Sequence, residues 1–276
     1  MPTMFVKFLF FVRLKADLSD PILKRMRVPI SDWKNYLFLQ KRKITKNKLK
    51  CAFLLTTIKT GKYYLTNNKT MKYKHIVFDI DGTLIDTEYA VINSLIKTIS
   101  EITGRTPQYE SLKFALGITG RNALERLKIS DIEDALKRWD RNMKLLQHTV
   151  QPFQGIKECL QSLLSRGYRL GIVTSKTYQE YHSDFEPLGL ADFFSTIVCA
   201  DDTEEHKPNA APLVAYLAKA NVSPENVLYI GDSIYDIQCA DNAGVDSGLV
   251  LWSNNVSNPI HADYYFKTPN DISKIL

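Results

Sequence analysis

An α/β fold with a parallel sheet covered on both faces is predicted by two features of this 276-residue chain. Apolar strand-like runs at 75–79, 168–174, 196–199, 227–231 and 248–252 alternate with helical segments between about 155 and 243. Near-continuous apolar strands belong to sheets buried on both sides, and alternation with helices makes neighbouring strands parallel. The second feature is that polar residues cluster directly after these runs, and in such sheets ligands bind at the carboxyl ends of the strands. Between the first and second strands a long insert, roughly Glu88 to Gln151, reads as helical throughout.

The first strand ends in Asp79-Ile-Asp81-Gly-Thr83, the most informative stretch of the chain. In an extended segment residues i and i+2 share a face, so Asp79 and Asp81 converge on one point while Ile80 turns back to the core. Such a pair divides labour, one carboxylate as nucleophile or metal ligand and the other as proton donor, once a cation relieves their repulsion. A surface turn is the competing reading, because Asp-Gly is itself a strong turn dipeptide.

In the insert, Ser130-Asp-Ile-Glu133 is read as a capping box that opens a helix. Ile132, Leu136, Trp139, Met143 and Leu146 then recur at spacings of four, three, four and three, a stripe expected to pack helices together, not to contact a ligand. Gly117-Ile-Thr-Gly120-Arg121 interrupts two helical stretches, and its two glycines mark a mobile turn.

Three later strands also end in polar groups. Leu170-Gly-Ile-Val-Thr174-Ser175-Lys176 places a hydroxyl at the end of a buried strand, where an N-cap is the plainer reading. His206-Lys207-Pro208 precedes an Ala-rich helix near 210–220, and its lysine read by itself is a solvated charge. Val227-Leu-Tyr-Ile-Gly231-Asp232-Ser-Ile-Tyr-Asp236 runs from strand to glycine to acid. Asp232 and Asp236, four apart, share a helix face near its positive end, or serve only as N-cap and first-turn acid.

Taken in order, Asp79-x-Asp81-Gly-Thr83, Thr174, Lys207-Pro208 and Gly231-Asp232-x-x-x-Asp236 resemble the four motifs of the haloacid dehalogenase superfamily. The resemblance runs from Met71 to the C-terminus and is similar to subfamily I phosphatases of the phosphoglycolate phosphatase type. It implies a Rossmann-like core, 71–87 and 152–276, with a small helical cap domain, 88–151, inserted after the first strand. By the same resemblance Asp79 is the nucleophile and forms an aspartyl phosphate, and Asp81 is the general acid and base. Thr174 and Lys207 complete the catalytic set. Thr83, Ser175 and Arg121 bind substrate, the last by a bidentate contact to a carboxylate or second phosphate from a loop over the site, although an ordinary charge at the start of the next helix is the competing reading of Arg121. Mg2+ is implied at Asp79, the Asp81 carbonyl and Asp232, with Asp236 orienting Lys207 or an outer water.

The presence of Asp81 favours phosphoryl transfer over carbon–halogen cleavage, which has no leaving oxygen to protonate. The expected function is magnesium-dependent hydrolysis of a small phosphomonoester, with phosphoglycolate favoured. Pyrophosphate hydrolysis and a sugar-phosphate mutase of the β-phosphoglucomutase kind are the alternatives, and a non-catalytic binding protein is the alternative class. The expected partner is a small phosphorylated metabolite, with no nucleic acid for the core.

Composition fits a soluble enzyme: 45% of residues are hydrophobic, enough for a full core and a second small unit. Four cysteines, Cys51, Cys159, Cys199 and Cys239, form no CxxC pair, which suggests a reducing compartment, cytoplasmic location and no structural zinc. The net charge of +6 conceals a split. Residues 1–70 carry 16 Lys and Arg against 3 Asp and no Glu, whereas 71–276 carry 20 against 27 acids. That basic N-terminal extension has four readings: an arm for nucleic acid or anionic lipid, a targeting segment, a small packed extension, or a stretch absent from a functional protein that starts at Met71. Met4 to Leu14 is too short to span a bilayer, and no membrane span is expected. Nothing in the pattern sets the oligomeric state.

Overall fold

The computed structural model describes residues 71–253 and 260–275, so the expectations for residues 1–70, Cys51 included, lie outside the described residues. Strands β1 (His75–Phe78), β4 (Arg169–Val173), β5 (Thr196–Val198), β6 (Val227–Gly231), β7 (Asp246–Val250) and β8 (Tyr264–Phe266) form one sheet. Its order is β5-β4-β1-β6-β7-β8, and every pairing is parallel. A two-stranded antiparallel ribbon, β2 (Ile85–Asp86) and β3 (Gln151–Pro152), marks the two points where the chain leaves the core and returns to it.

The alternation of side chains along β1 builds both halves of the core. Ile76 and Phe78 join an apolar cluster with Ile156, Leu160 and Leu163 of helix α4 (Ile156–Ser165). Val77 joins a second cluster with Leu213 and Tyr216 of α5 (Ala211–Ala220) and Cys239 and Ala240 of α6 (Ile234–Ala243). Each fully buried Ile or Leu contributes about 1.5–3 kcal/mol, so burial of the central strands on both faces dominates the stability of the sheet. A last helix, α7 (Pro269–Ile275), packs beside α4.

The cap consists of α1 (Glu88–Thr103), a 3₁₀ stretch Tyr109–Ala115, α2 (Gly120–Arg126) and α3 (Ile132–Leu146). It has its own apolar centre, in which Ile92, Leu95 and Ile99 meet Leu112, Ala123, Leu124 and Ala135. The predicted stripe divides along α3. Ile132, Leu136 and Trp139 pack in the cap, whereas Met143 and Leu146 reach the sheet cluster, because the end of α3 leads back to the core.

Two local expectations need correction. Ser130 does not open a capping box: α3 is capped by Asp131, whose Oδ1 accepts from the Asp134 N–H at 3.0 Å, and Glu133 instead pairs with Arg121. The strand expected at 248–252 is β7 at 246–250. Its first residues are pulled into the sheet by Asp263, which accepts from the Ser247 N–H at 2.8 Å, while Leu251 and Trp252 lie beyond the strand.

Candidate active site

The sheet ladder carries directly into the first motif, since the Asp79 N–H donates to the Ile230 carbonyl at 2.9 Å. The chain then folds over Ile80, whose carbonyl accepts from Leu84 at 2.9 Å and Ile85 at 3.1 Å, so the fully buried Ile80 pins a tight loop. Gly82 has φ +74, and a Cβ there would stand 2.1 Å from Asp232 Oδ2. A glycine is therefore required both by the backbone and by the close approach of the carboxylate. Asp79 and Asp232 are buried at this junction, and Asp81 keeps partial access to solvent. Ser253 donates to Asp232 Oδ2 at 3.0 Å.

Lys207 lies under this group, fully enclosed, with its ammonium 2.7 Å from Asp79 Oδ1 and 2.8 Å from Asp236 Oδ1. Asp236 is saturated. Its Oδ1 also lies 3.0 Å from the Tyr229 hydroxyl, and its Oδ2 accepts from the Ser233 N–H at 3.0 Å and hydroxyl at 2.6 Å. Burial alone would raise the Asp236 carboxyl, but Lys207 and the Ser233 donors more than offset it and hold it below the usual range. Burial likewise opposes the charge of Lys207, yet Asp236 and Asp79 outweigh it and keep the lysine raised. Asp79 goes the other way: burial, reinforced by Asp236, Asp81 and Asp232, pushes it well above the usual range despite Lys207.

The other expected residues are spread around this centre. Thr174 is buried at the end of β4 and its Oγ1 accepts from the Lys176 N–H at 3.2 Å. Ser175 donates its hydroxyl to the Gly117 carbonyl at 3.0 Å, tying the cap loop to the core. Gly117, at φ +85, lies so close to Ser233 that a Cβ would meet its Oγ at 2.9 Å. The Gly117 loop therefore does reach over the site. Thr83 is buried, and its Oγ1 has no partner among the described residues. Arg121 is exposed in the first turn of α2, the plainer of its two readings, and its guanidinium pairs with Glu133 of α3. A carboxylate in the first turn of α3 pairs with the guanidinium, and the sequence did not reveal that pairing.

A cavity of about 380 Å³ opens between cap and core over Asp79 and Asp81. Its cap side combines apolar Leu116, Ile118, Leu136, Trp139 and Met143 with charged Glu133, Lys137 and Asp140. The stripe of α3 thus packs helices as expected, and its Leu136, Trp139 and Met143 also line the cavity. Trp139 is held in place by its Nε1, which donates to the Ser94 hydroxyl at 2.9 Å. Two cations face the cavity. Lys176 is buried between Asp81 Oδ1 at 3.3 Å and Asp184 Oδ2 at 3.1 Å, while Lys137 of α3 is exposed. Neither was assigned a role from sequence, although Lys176 immediately follows the hydroxyl pair of the second motif.

Asp79, Asp232 and Asp236 each present a carboxylate oxygen within 4.8 Å of the others. With Asp81 that makes four acids against Lys207 and Lys176, an imbalance that fits a divalent cation. Asp236 spends both oxygens on Lys207, Tyr229 and Ser233, so Asp79 and Asp232 are the side chains best disposed to hold it.

The model of the family described as haloacid dehalogenase-like hydrolase matches residues 76–250. The chain belongs to this family. A protein named pyrophosphatase PpaX from Oceanobacillus iheyensis is 30% identical over 211 residues, 75% of this chain and 98% of the relative. Its namesake from Bacillus mycoides is 29% identical over 210 residues, 75% of this chain and 98% of that one. Among solved structures, a protein from Lactobacillus plantarum provisionally named phosphoglycolate phosphatase aligns with a TM-score of 0.67 at 29% identity, over 75% of this chain and 100% of its own. A haloacid dehalogenase-like hydrolase, also provisionally named, from Bacteroides fragilis has the same TM-score at 23% identity, over 74% and 100%, and attests the fold. As a member of this family the chain is a phosphatase. The binding-scaffold reading of the sequence is set aside with that assignment.

Proposed function

We propose that the protein hydrolyses a small phosphomonoester through an aspartyl phosphate on Asp79, with magnesium as cofactor. The observation that carries this reading is the placing of Asp79 at the end of β1, backed by Lys207, with Asp81 two residues on at the same cleft. An Asp79 carboxylate oxygen attacks phosphorus, the bond to the leaving oxygen breaks, and Asp81 gives that oxygen its proton. Asp81, now a carboxylate, takes a proton from the water that attacks the phosphoryl group, which frees Asp79 and inorganic phosphate. Lys207 balances charge at Asp79, Thr174 donates to the transferring group, and Asp236 holds Lys207 in place. Bound at Asp79, the Asp81 carbonyl and Asp232, a magnesium ion supplies the positive charge that lets a carboxylate meet a phosphate dianion.

The apolar part of the cap wall suits a leaving group with carbon in it, and Lys137 suits one anionic substituent on that group. Both features favour an ester such as phosphoglycolate. Pyrophosphate is the second reading, favoured by the names of the relatives. The buried free thiols Cys159, Cys199 and Cys239 accord with a cytoplasmic location, and no described helix is long and apolar enough to cross a membrane. The deciding experiment is a kinetic screen over phosphoglycolate, pyrophosphate and hexose phosphates, with and without magnesium. Highest kcat/KM on phosphoglycolate supports the first reading and on pyrophosphate the second. A hexose phosphate isomerised without release of phosphate would overturn both in favour of a mutase.

A further inference from the structure

Among the described residues, the hydrolytic scheme leaves two buried charges without a task, Lys176 and Asp184. Lys176 is among the most enclosed charged residues of the described chain, 7% exposed, yet it lines the cleft. Its ammonium stands 3.3 Å from Asp81 Oδ1 and donates a hydrogen bond to Asp184 Oδ2 at 3.1 Å. Asp81 Oδ1 is itself enclosed and makes no hydrogen bond among the described residues, so its ion pair with Lys176 is what meets that oxygen. Asp184 belongs to a π-helical turn, Tyr181–Phe185, which follows a single capped turn, Tyr178–Glu180. Turns of this kind are rare and recur where a side chain has to be displaced from a regular helix for function. The turn is anchored on both sides. Ser183 donates to Asp184 Oδ1 at 2.7 Å, and Gln147, where α3 returns to the core, donates its amide to the Ser183 carbonyl.

We propose that Lys176 is a positioning residue for Asp81, and that Asp184, set by the π-turn, fixes Lys176 in turn. The proposal rests on the reading of Asp81 as the acid that protonates the leaving oxygen. A carboxyl at the end of a loop has free rotation about two bonds, and proton transfer requires it within hydrogen-bond reach of one oxygen. Lys176 removes that freedom by holding Oδ1, which leaves Oδ2 to face the substrate. Asp184 balances the ammonium, so Lys176 is not buried as an uncompensated charge.

The test is the dependence of rate on the leaving group. An alkyl phosphate needs its departing oxygen protonated, whereas a dinitrophenyl phosphate does not, because its phenolate is stable as an anion. In Lys176→Met the ratio of kcat/KM for the alkyl ester to that for the dinitrophenyl ester is expected to fall at least about tenfold, since general acid catalysis is worth on the order of 10²–10⁴. Asp184→Asn is expected to lower the same ratio by a smaller factor. The ratio does not depend on how much of a variant folds, as both substrates report on the same active molecules. Equal losses on the two esters in both variants would overturn the proposal and leave Lys176 a structural ion pair. The unmodified enzyme separates the two levels: if it shows no preference for a protonated leaving oxygen and Asp81→Asn leaves its ratio unchanged, the reading of Asp81 fails first.

Discussion

At Asp79 the demands of catalysis and stability diverge. Its carboxyl is held well above the usual range by burial and by three neighbouring carboxylates. A raised carboxyl in the folded state favours folding at low pH and costs stability as pH climbs from the unfolded value near 4 through the folded one. Asp79→Asn is therefore expected to be more thermally stable than the parent at pH 7 without magnesium, by about 1–3 kcal/mol, or several degrees in Tm. Added magnesium should narrow the gap by stabilising only the parent. Turnover in the same variant should drop at least about a thousandfold, which steady-state kinetics would show. A variant less stable than the parent in chelator at neutral pH would contradict this electrostatic picture. Gly82 makes the matching geometric case. In Gly82→Ala the new methyl overlaps Asp232 Oδ2 and the φ of +74 is strained, so a loss of about 1–3 kcal/mol and a weaker apparent magnesium affinity are expected. Magnesium titration and thermal melts of that variant would read both effects.

Helix α3 carries three functions at once: a packing face in the cap, a wall of the cleft and the return to the core. Periodicity detects the first and is blind to the second, because a residue such as Trp139 is half-buried in the cap and still open to the cavity. The same helix presents Lys137 to the cavity, whereas Arg121 is drawn away by Glu133. Lys137→Gln is expected to raise KM for phosphoglycolate roughly tenfold with little change in kcat, and to leave kcat/KM for an aryl phosphate nearly unaltered, the signature of lost ground-state binding. Arg121→Gln should alter neither substrate beyond about twofold, as removal of an exposed ion pair is worth little. A KM effect at Arg121 and none at Lys137 would restore the sequence-based assignment.

For the whole molecule, what was legible in the sequence followed from backbone periodicity and chain order. Five strands announced themselves as apolar runs, and three of the four motifs lie at strand ends that a parallel sheet gathers on one edge, whereas Lys207 lies in the loop beyond β5. β8 went unseen because three residues in a polar, aromatic stretch make no run. The approach of Asp79, Lys207 and Asp236 was implied by resemblance but not by spacing, since 128 residues separate Asp79 from Lys207. Lys176 and Asp184 were missed altogether: their link depends on a π-turn that widens the local helix, and no residue type signals such a turn. The account as a whole turns on whether the phosphoryl group passes through Asp79. Rapid acid quench during turnover with magnesium, followed by digestion and mass spectrometry, measures this directly. The prediction is a peptide containing Asp79 that gains one phosphoryl group within the first turnover and loses it once the substrate is exhausted. Phosphate released at full rate with no phosphorylated peptide, or undiminished turnover in Asp79→Asn, would contradict it.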